Sequence, residues 1–206
     1  LPTQIIEVGI AEQNLVGITA GLAASGKKSF GVSPGCFLTA RSLEQVKNDI
    51  CYSDHPVTIV GISSGVSYGA LGTTHHSLHD FAVMRAINNL TVVAPADNFE
   101  AREAVRAAAA SDKPVYLRFG KSPLYSLPAA DTAPFAFGRA RVLREGRDVA
   151  FVVRDLEEEL VVDLQDQARR HLVLPQARPA AHHRHLDDVG RVAAARALGV
   201  EGVDGP

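Results

Sequence analysis

The chain has 206 residues, 46% of them hydrophobic, and a formal net charge of -2 at pH 7. This is enough apolar material for the core of a domain of ordinary size. The near-neutral charge gives no electrostatic reason to expect a nucleic acid or an anionic membrane as partner. No apolar run is long enough to cross a bilayer, and Cys36 and Cys51 lie in segments that we predict to be buried, which favours a reduced, cytoplasmic protein.

The first elements alternate between strand and helix. Residues 4–8 are apolar and predict a buried strand, and residues 10–24 predict a helix that ends at Ser25 and Gly26. The small and apolar residues of this helix indicate that it is buried on all sides. A short strand is predicted over residues 29–33, and helical spacing over residues 38–52 predicts the next helix.

The alternation continues to about residue 119. Each predicted strand is apolar throughout, which is typical of an open, mainly parallel α/β sheet with helices on both faces. A glycine-rich loop follows one of the strands, and Asp97 or Asn98 can cap an alanine-rich helix. These elements are a strand over 57–62, a loop over 63–74, a helix over 78–88, a strand over 90–94, a helix over 99–110 and a strand over 115–119.

Glu12 is a carboxylate at the start of a helix that we predict to be buried. A buried carboxylate is costly, so it needs a partner or a function such as sharing a proton with a ligand. The helix dipole also favours an acid in the first turn, and by position alone that explanation is equally good.

Two further positions are candidates for chemistry. His75 and His76 follow the glycine-rich loop, where they suit acid–base catalysis or a helix cap, whereas metal binding is disfavoured because no Cys or carboxylate lies beside them at ligand spacing. Arg118 lies in an apolar strand, where an arginine either reaches the rim or binds an anion.

Together, these segments resemble the pyrimidine-binding domain of transketolase and its thiamine diphosphate relatives. The matching pieces occur in family order over most of residues 1–125. They are IEVGIAEQNLVGITAGLA at 6–23, FLTARSLEQVKNDI at 37–50, GVSYGALGTTHHSLHDFAVMRAINNLTVVAPAD at 65–97 and PVYLRFGKSP at 114–123.

The resemblance implies a thiamine-diphosphate-binding fold and a role for each matched residue. Glu12 is expected to hydrogen-bond the aminopyrimidine ring of the cofactor and to act in catalysis. Phe37 is expected to stack on that ring, and Arg41 to contribute to cofactor binding. His75 is expected to act on and bind the substrate, and Arg118 to bind a sugar phosphate.

The sequence departs from the family pattern at two points, and these departures limit which family properties we expect in this chain. Leu71 stands where full-length transketolases usually carry an aspartate that recognises a substrate hydroxyl. The Gly-Asp-Gly…Asn pattern that holds the diphosphate and Mg²⁺ does not occur in the chain. The resemblance therefore implies the C-terminal component of a split transketolase, which acts on sugar phosphates in a homo- or hetero-oligomer with an N-terminal subunit that carries the diphosphate and Mg²⁺. The alternatives are a deoxyxylulose-phosphate-synthase-like or dehydrogenase-beta-like enzyme and a non-catalytic partner domain.

The expected organisation is a pyrimidine-binding domain over 1–125, a linker over 126–136 and a partial or degenerate transketolase C-terminal domain, a second α/β unit, over 137–206. The chain starts with Leu1 almost directly before a predicted strand, so we expect a truncated or processed start. The cluster His182–His185 is expected to be a solvated basic loop rather than a metal site.

Overall fold

A parallel sheet forms the centre of the computed structural model, which describes residues 2–122 and 134–139. Its four strands all run parallel, and their spatial order is β1-β2-β4-β3. The strands are β1 (Ser29–Pro34), β2 (Val57–Ile62), β3 (Thr91–Val93) and β4 (Val115–Arg118).

The helices connect the strands, as parallel pairing requires. Asp97 caps the last helix, because its side chain accepts a hydrogen bond of 2.8 Å from the Glu100 backbone N–H. The helices are α1 (Glu12–Ala24), α2 (Gly35–Arg41), α3 (Leu43–Gln45) with the π-helical turn Val46–Tyr52, α4 (Asp80–Arg85) and α5 (Asn98–Ala110), and 3-10 turns lie at Pro2–Gln4 and Gly69–Leu71.

Side chains alternate between the two faces of the sheet, and a separate apolar cluster covers each face. Val57, Ile59 and Tyr116 point to the face that α1, α2 and α4 cover. Val60 and Leu117 point to the face that α5 covers. The predicted α/β fold, with helices on both faces of an open parallel sheet, is therefore confirmed.

Two predictions about the N-terminal segment were wrong. Residues 4–8 do not form a buried strand, since Ile5 is 74% exposed and no strand is assigned before β1. Helix α1 is not buried on all sides, since Gly17 and Gly21 lie on an exposed face. An apolar run becomes a strand only where a neighbouring strand and a covering layer are available, and the described residues supply neither at this position.

Several predictions lie outside the described residues, among them most of the linker, the second α/β unit and the cluster His182–His185. Of that region, residues 134–139 are described, and Phe135 and Phe137 pack against the cluster under α5. No described helix is long and apolar enough to cross a membrane.

Candidate functional site

The candidate site lies at the carboxyl ends of three neighbouring strands. The segments that follow β1, β2 and β4 carry Phe37 and Arg41, Tyr68 and His75, and Lys121, respectively. In open α/β sheets, ligands bind in the crevice outside these strand ends. Contacts between neighbouring side chains join these five residues and Glu12 into one row.

Glu12 begins the row as the first residue of α1, with 5% of its surface exposed. Arg41 donates from Nη1 to its two carboxylate oxygens, at 3.2 Å and 3.1 Å. Ser33, near the end of β1, donates a longer hydrogen bond of 3.4 Å to Oε1. The buried carboxylate predicted from the sequence is therefore present, and its partner is a cation from α2.

Phe37 is the centre of the row. The Arg41 guanidinium lies 4.2 Å from the centroid of its ring, and the His75 ring meets it edge-on at 5.2 Å. Both Phe37 and Arg41 belong to α2, whose first residue is Gly35. A Cβ atom at Gly35 would lie 2.4 Å from Ser64 Oγ, so the glycine allows α2 to approach the start of the loop that carries His75.

His75 is held by the loop between β2 and α4. Its Nδ1 is 2.9 Å from the Thr74 hydroxyl, and its backbone N–H donates to the Gly72 carbonyl at 3.0 Å. The Tyr68 ring packs edge-on against the imidazole, with 5.4 Å between centroids. His76 points elsewhere in the loop, where its Nε2 donates to the Gly69 carbonyl at 3.1 Å.

Arg118 is separate from this row. It is 6% exposed, and its Nε donates to Asp80 Oδ2 at 2.7 Å. Its guanidinium also lies 4.7 Å from the centroid of the Phe81 ring. The sequence predicted an anion-binding arginine here, and the anion found in the structure is the carboxylate of Asp80. Binding of a sugar phosphate by Arg118 stays a prediction that this geometry does not favour.

Lys121 is a residue of the row that the sequence analysis did not select. Its Nζ lies 4.7 Å from the centroid of the Tyr68 ring, a cation–π distance. The side chain is exposed, shortly beyond the end of β4. The sequence contained one indication that Lys121 belongs to the site. Lys121 follows a glycine at the end of a buried strand, a position where a cation remains accessible to a ligand.

A cavity of about 490 Å³ opens beside Glu12. The cavity is lined by Ile10, Ala11, Glu12, Gln13, Asn14 and Arg41. In the described part of the chain, no group of three or more His, Cys, Asp or Glu side chains is placed to hold a metal ion.

Comparison with known protein families gives a match that includes this whole row. The family described as "Transketolase, pyrimidine binding domain" matches residues 2–126. The chain belongs to this family. The matched range contains Glu12, Phe37, Arg41, His75 and Lys121, so the row lies within one transketolase-family domain.

Relatives of this transketolase-family chain include proteins described as transketolase subunits. The chain is 48% identical over 152 residues to an apulose-4-phosphate transketolase subunit of Phocaeicola vulgatus, a match that covers 74% of this chain and 49% of that protein. It is 37% identical to a 6-deoxy-6-sulfo-D-fructose transketolase subunit of a Clostridium species, over 74% of this chain and 47% of that protein. The chain thus spans about half the length of the curated relatives it matches.

The fold agrees with a solved structure of the same family. A split gene transketolase, described as an inactive beta4 tetramer, superimposes with a TM-score of 0.63 at 36% identity. The superposition covers 72% of this chain and 47% of the solved chain.

Proposed function

We propose that this chain is the C-terminal component of a split transketolase-type enzyme, which transfers a two-carbon ketol unit between phosphorylated sugars. The observation that carries the proposal is the continuous row from Glu12 through Phe37 to His75 at the carboxyl edge of the sheet. Family membership and the relatives that are transketolase subunits support it.

The residues present suit the aminopyrimidine ring of thiamine diphosphate. The contacts of Arg41 support this, because its flat, nitrogen-rich group lies over Phe37 and donates to Glu12. An aminopyrimidine requires the same two features, an aromatic surface and a carboxylate partner. Glu12, Phe37 and Arg41 would hold the ring. When bound, the cofactor supplies the thiazolium carbon that attacks the ketose.

The chain's own residues supply proton transfer and orientation. The Glu12 carboxylate is 5% exposed and lines the cavity, so it could share a proton with a ring nitrogen directly. His75 lies farther along the row, with one ring nitrogen beside the Thr74 hydroxyl. Its other nitrogen can exchange a proton with a substrate hydroxyl.

Substrate phosphate requires an accessible cation, and the site offers Lys121. It contacts Tyr68, which contacts His75, so its charge lies at the end of the row away from Glu12. Arg118 has its Nε hydrogen-bonded to Asp80 in a buried pair. We therefore propose that Lys121, and not Arg118, faces the phosphate group of the sugar.

The site also needs a partner. The chain has no Gly-Asp-Gly…Asn pattern for the diphosphate and Mg²⁺. We propose that an N-terminal transketolase-type subunit supplies both and that the active form is an oligomer of the two chains. The solved relative described as an inactive beta4 tetramer fits this proposal, since it contains beta chains only.

A reconstitution assay tests the proposal. The chain is mixed with the N-terminal subunit of a split transketolase, thiamine diphosphate and Mg²⁺, and is given xylulose 5-phosphate and ribose 5-phosphate. Formation of a heptulose phosphate only in the mixture supports it. A deoxyxylulose phosphate formed from pyruvate would support the synthase alternative, and assembly without any turnover would support a non-catalytic domain.

Isothermal titration provides a second, independent measurement. The isolated chain is titrated with thiamine diphosphate and Mg²⁺, and the mixture with the partner is titrated in parallel. We expect tight binding only in the mixture. Tight binding by the isolated chain would contradict the divided cofactor site.

A further inference from the structure

We propose that the buried pair of Asp80 and Arg118 is a positioning device that fixes the loop carrying Tyr68 and His75 against Phe37. The proposal gives Arg118 a role in the site without contact to substrate. It rests on the proposed function of His75, but the experiment below measures the position of His75 directly.

The pair is held by more than one directed contact. Asp80 Oδ2 accepts from Arg118 Nε at 2.7 Å and from the Tyr116 hydroxyl at 3.3 Å, while Oδ1 accepts from the Phe81 N–H at 3.0 Å. Asp80 and Tyr116 are fully buried. Burial, reinforced by the charge of Asp80, raises the pKa of Tyr116, so the phenol remains a hydrogen-bond donor to the carboxylate.

This network lies directly under the base of the loop. Gly65 and Ser77 close the loop with two backbone hydrogen bonds of 3.1 Å and 2.8 Å, and Asp80 begins α4 shortly after Ser77. On the other side of the base, the buried Ser64 donates from its hydroxyl to the Gly61 carbonyl at 3.3 Å and from its backbone N–H to the Phe119 carbonyl, next to Arg118, at 3.0 Å. One end of the loop is therefore tied to the residue that follows Arg118, and the other end leads within a few residues to Asp80.

Helix α2 is connected to the same base. His79 precedes Asp80, and its Nε2 is 3.0 Å from the Thr39 hydroxyl of α2. Phe37 belongs to the same helix, so this contact links the helix that carries Phe37 to the start of α4. The distance of 5.2 Å between the rings of Phe37 and His75 depends on where the Asp80 network holds that start.

A buried ion pair is a weak source of stability but a strong geometric restraint. Replacing such a pair with apolar residues of similar size is often neutral for stability, whereas its directed hydrogen bonds are lost. The effect of the pair on the geometry of the loop can therefore be measured separately from its effect on the stability of the fold. An exposed ion pair between Asp54 and Lys113 (2.6 Å) provides a matched control elsewhere in the chain.

The experiment is nuclear magnetic resonance of the full chain labelled with ¹³C-histidine. The His75 signal is assigned by its loss in His75→Gln, and the His55 signal serves as an internal reference. The variants are Asp80→Asn, Arg118→Lys and the double variant Asp80→Leu/Arg118→Met, with Asp54→Asn as control. Amide exchange in the loop and Tm are measured on the same samples.

We expect the His75 signal to move towards that of an exposed histidine in all three variants. Loop amides should exchange roughly tenfold faster or more, as expected for the loss of a hydrogen bond to a charged group. The double variant should show these changes although its Tm is close to that of the parent. In Asp54→Asn the pattern should reverse, so that His55 shifts and His75 does not.

An unmoved His75 signal in the folded double variant, or in either folded single variant, would overturn the proposal. If Asp80→Asn fails to fold, the results for the double variant and for Arg118→Lys determine whether the proposal holds. A shift of His75 without any loss of turnover in the reconstituted complex leaves the positioning role standing and refutes the proposed function of His75. The experiments can therefore refute the positioning role of the pair and the proposed function of His75 independently.

Discussion

Arg41 donates from a single guanidinium nitrogen to both carboxylate oxygens of Glu12, at 3.2 Å and 3.1 Å. The carboxylate is 5% exposed, whereas the arginine side chain is 49% exposed. Glu12 is therefore buried beside a cation that solvent, and so a ligand, can reach, which suits a binding site better than a structural contact.

The first prediction concerns Glu12. Glu12→Gln preserves the shape of the side chain but removes its ability to share a proton, so turnover of the reconstituted complex should fall roughly a hundredfold to ten-thousandfold. Assembly with the partner, followed by analytical ultracentrifugation, should be unchanged. Glu7→Gln, at an exposed carboxylate, is the control. Unaltered turnover in Glu12→Gln would refute the assignment.

The second prediction concerns Arg41. Arg41→Met removes the hydrogen bonds to Glu12 and should weaken thiamine diphosphate binding to the complex by roughly tenfold, since a hydrogen bond to a charged group contributes about 1.5–3 kcal/mol. Titration calorimetry measures the change. Arg106→Met, which removes an exposed pair with Glu103 on α5, should have no effect. Tighter binding in Arg41→Met would instead show that the arginine competes with the ring for Phe37.

The third prediction separates Lys121 from other lysines. Lys121→Gln should raise the KM for the phosphorylated sugar about fivefold and leave kcat nearly unchanged, because an exposed charge contact is worth about 1 kcal/mol. The difference should shrink as salt rises, since screening weakens exposed charges. Lys47→Gln, at an exposed lysine outside the row, should behave like the parent. An equal effect of both variants would contradict the proposed role.

The fourth prediction tests the close approach of α2 to the loop. A Cβ at Gly35 would lie 2.4 Å from Ser64 Oγ, and Ser64 is fully buried, so Gly35→Ala should lower the free energy of unfolding by about 1–3 kcal/mol. Gly17→Ala is the control, because nothing lies within 4 Å of its Cβ position in α1. That variant should gain up to about 1 kcal/mol from helix propensity. Urea denaturation of the full chain measures both, and equal stabilities would contradict the packing.

The fifth prediction concerns alkaline pH. Burial, and secondly the charge of Asp54, raise the pKa of Cys51 from 9.0 to about 12. The thiol thus ionises in the unfolded chain at lower pH than in the folded chain. Its contribution to stability is complete below about pH 9 and is lost as pH rises towards 12, by up to about 1.4 kcal/mol per pH unit.

Urea unfolding under reducing conditions, between pH 8 and 11, measures this slope. Cys51→Ala should be less stable at pH 8 because it leaves a cavity, but its stability should decline less steeply with pH. Other groups titrate in the same range, so the difference between the two slopes is the relevant quantity. Identical slopes would contradict burial of the thiol.

The sequence allowed correct prediction of the alternation of strands and helices after residue 10, because most strands are apolar and each helix is amphipathic or small. The helix predicted over residues 38–52 is instead divided into α2, α3 and the π-helical turn Val46–Tyr52. The prediction was less accurate at helix ends, where α4 is shorter than the predicted 78–88. It was wrong at residues 4–8, because an apolar segment shows only that burial would be favourable. Ile5 and Ile6 remain exposed, because no part of the chain that the structure describes covers them.

The sequence by itself determined the parallel α/β fold and, through its family resemblance, predicted site roles for Glu12, Phe37, Arg41 and His75. Only the tertiary structure decided which partner each cation contacts. Arg118 and Lys121 lie close together at the end of β4, but the helix packed beside Arg118 brings it the carboxylate of Asp80, whereas Lys121 reaches the Tyr68 ring. The charge of a residue can be read from the sequence, but the contact that this charge makes depends on which partner the fold places beside it.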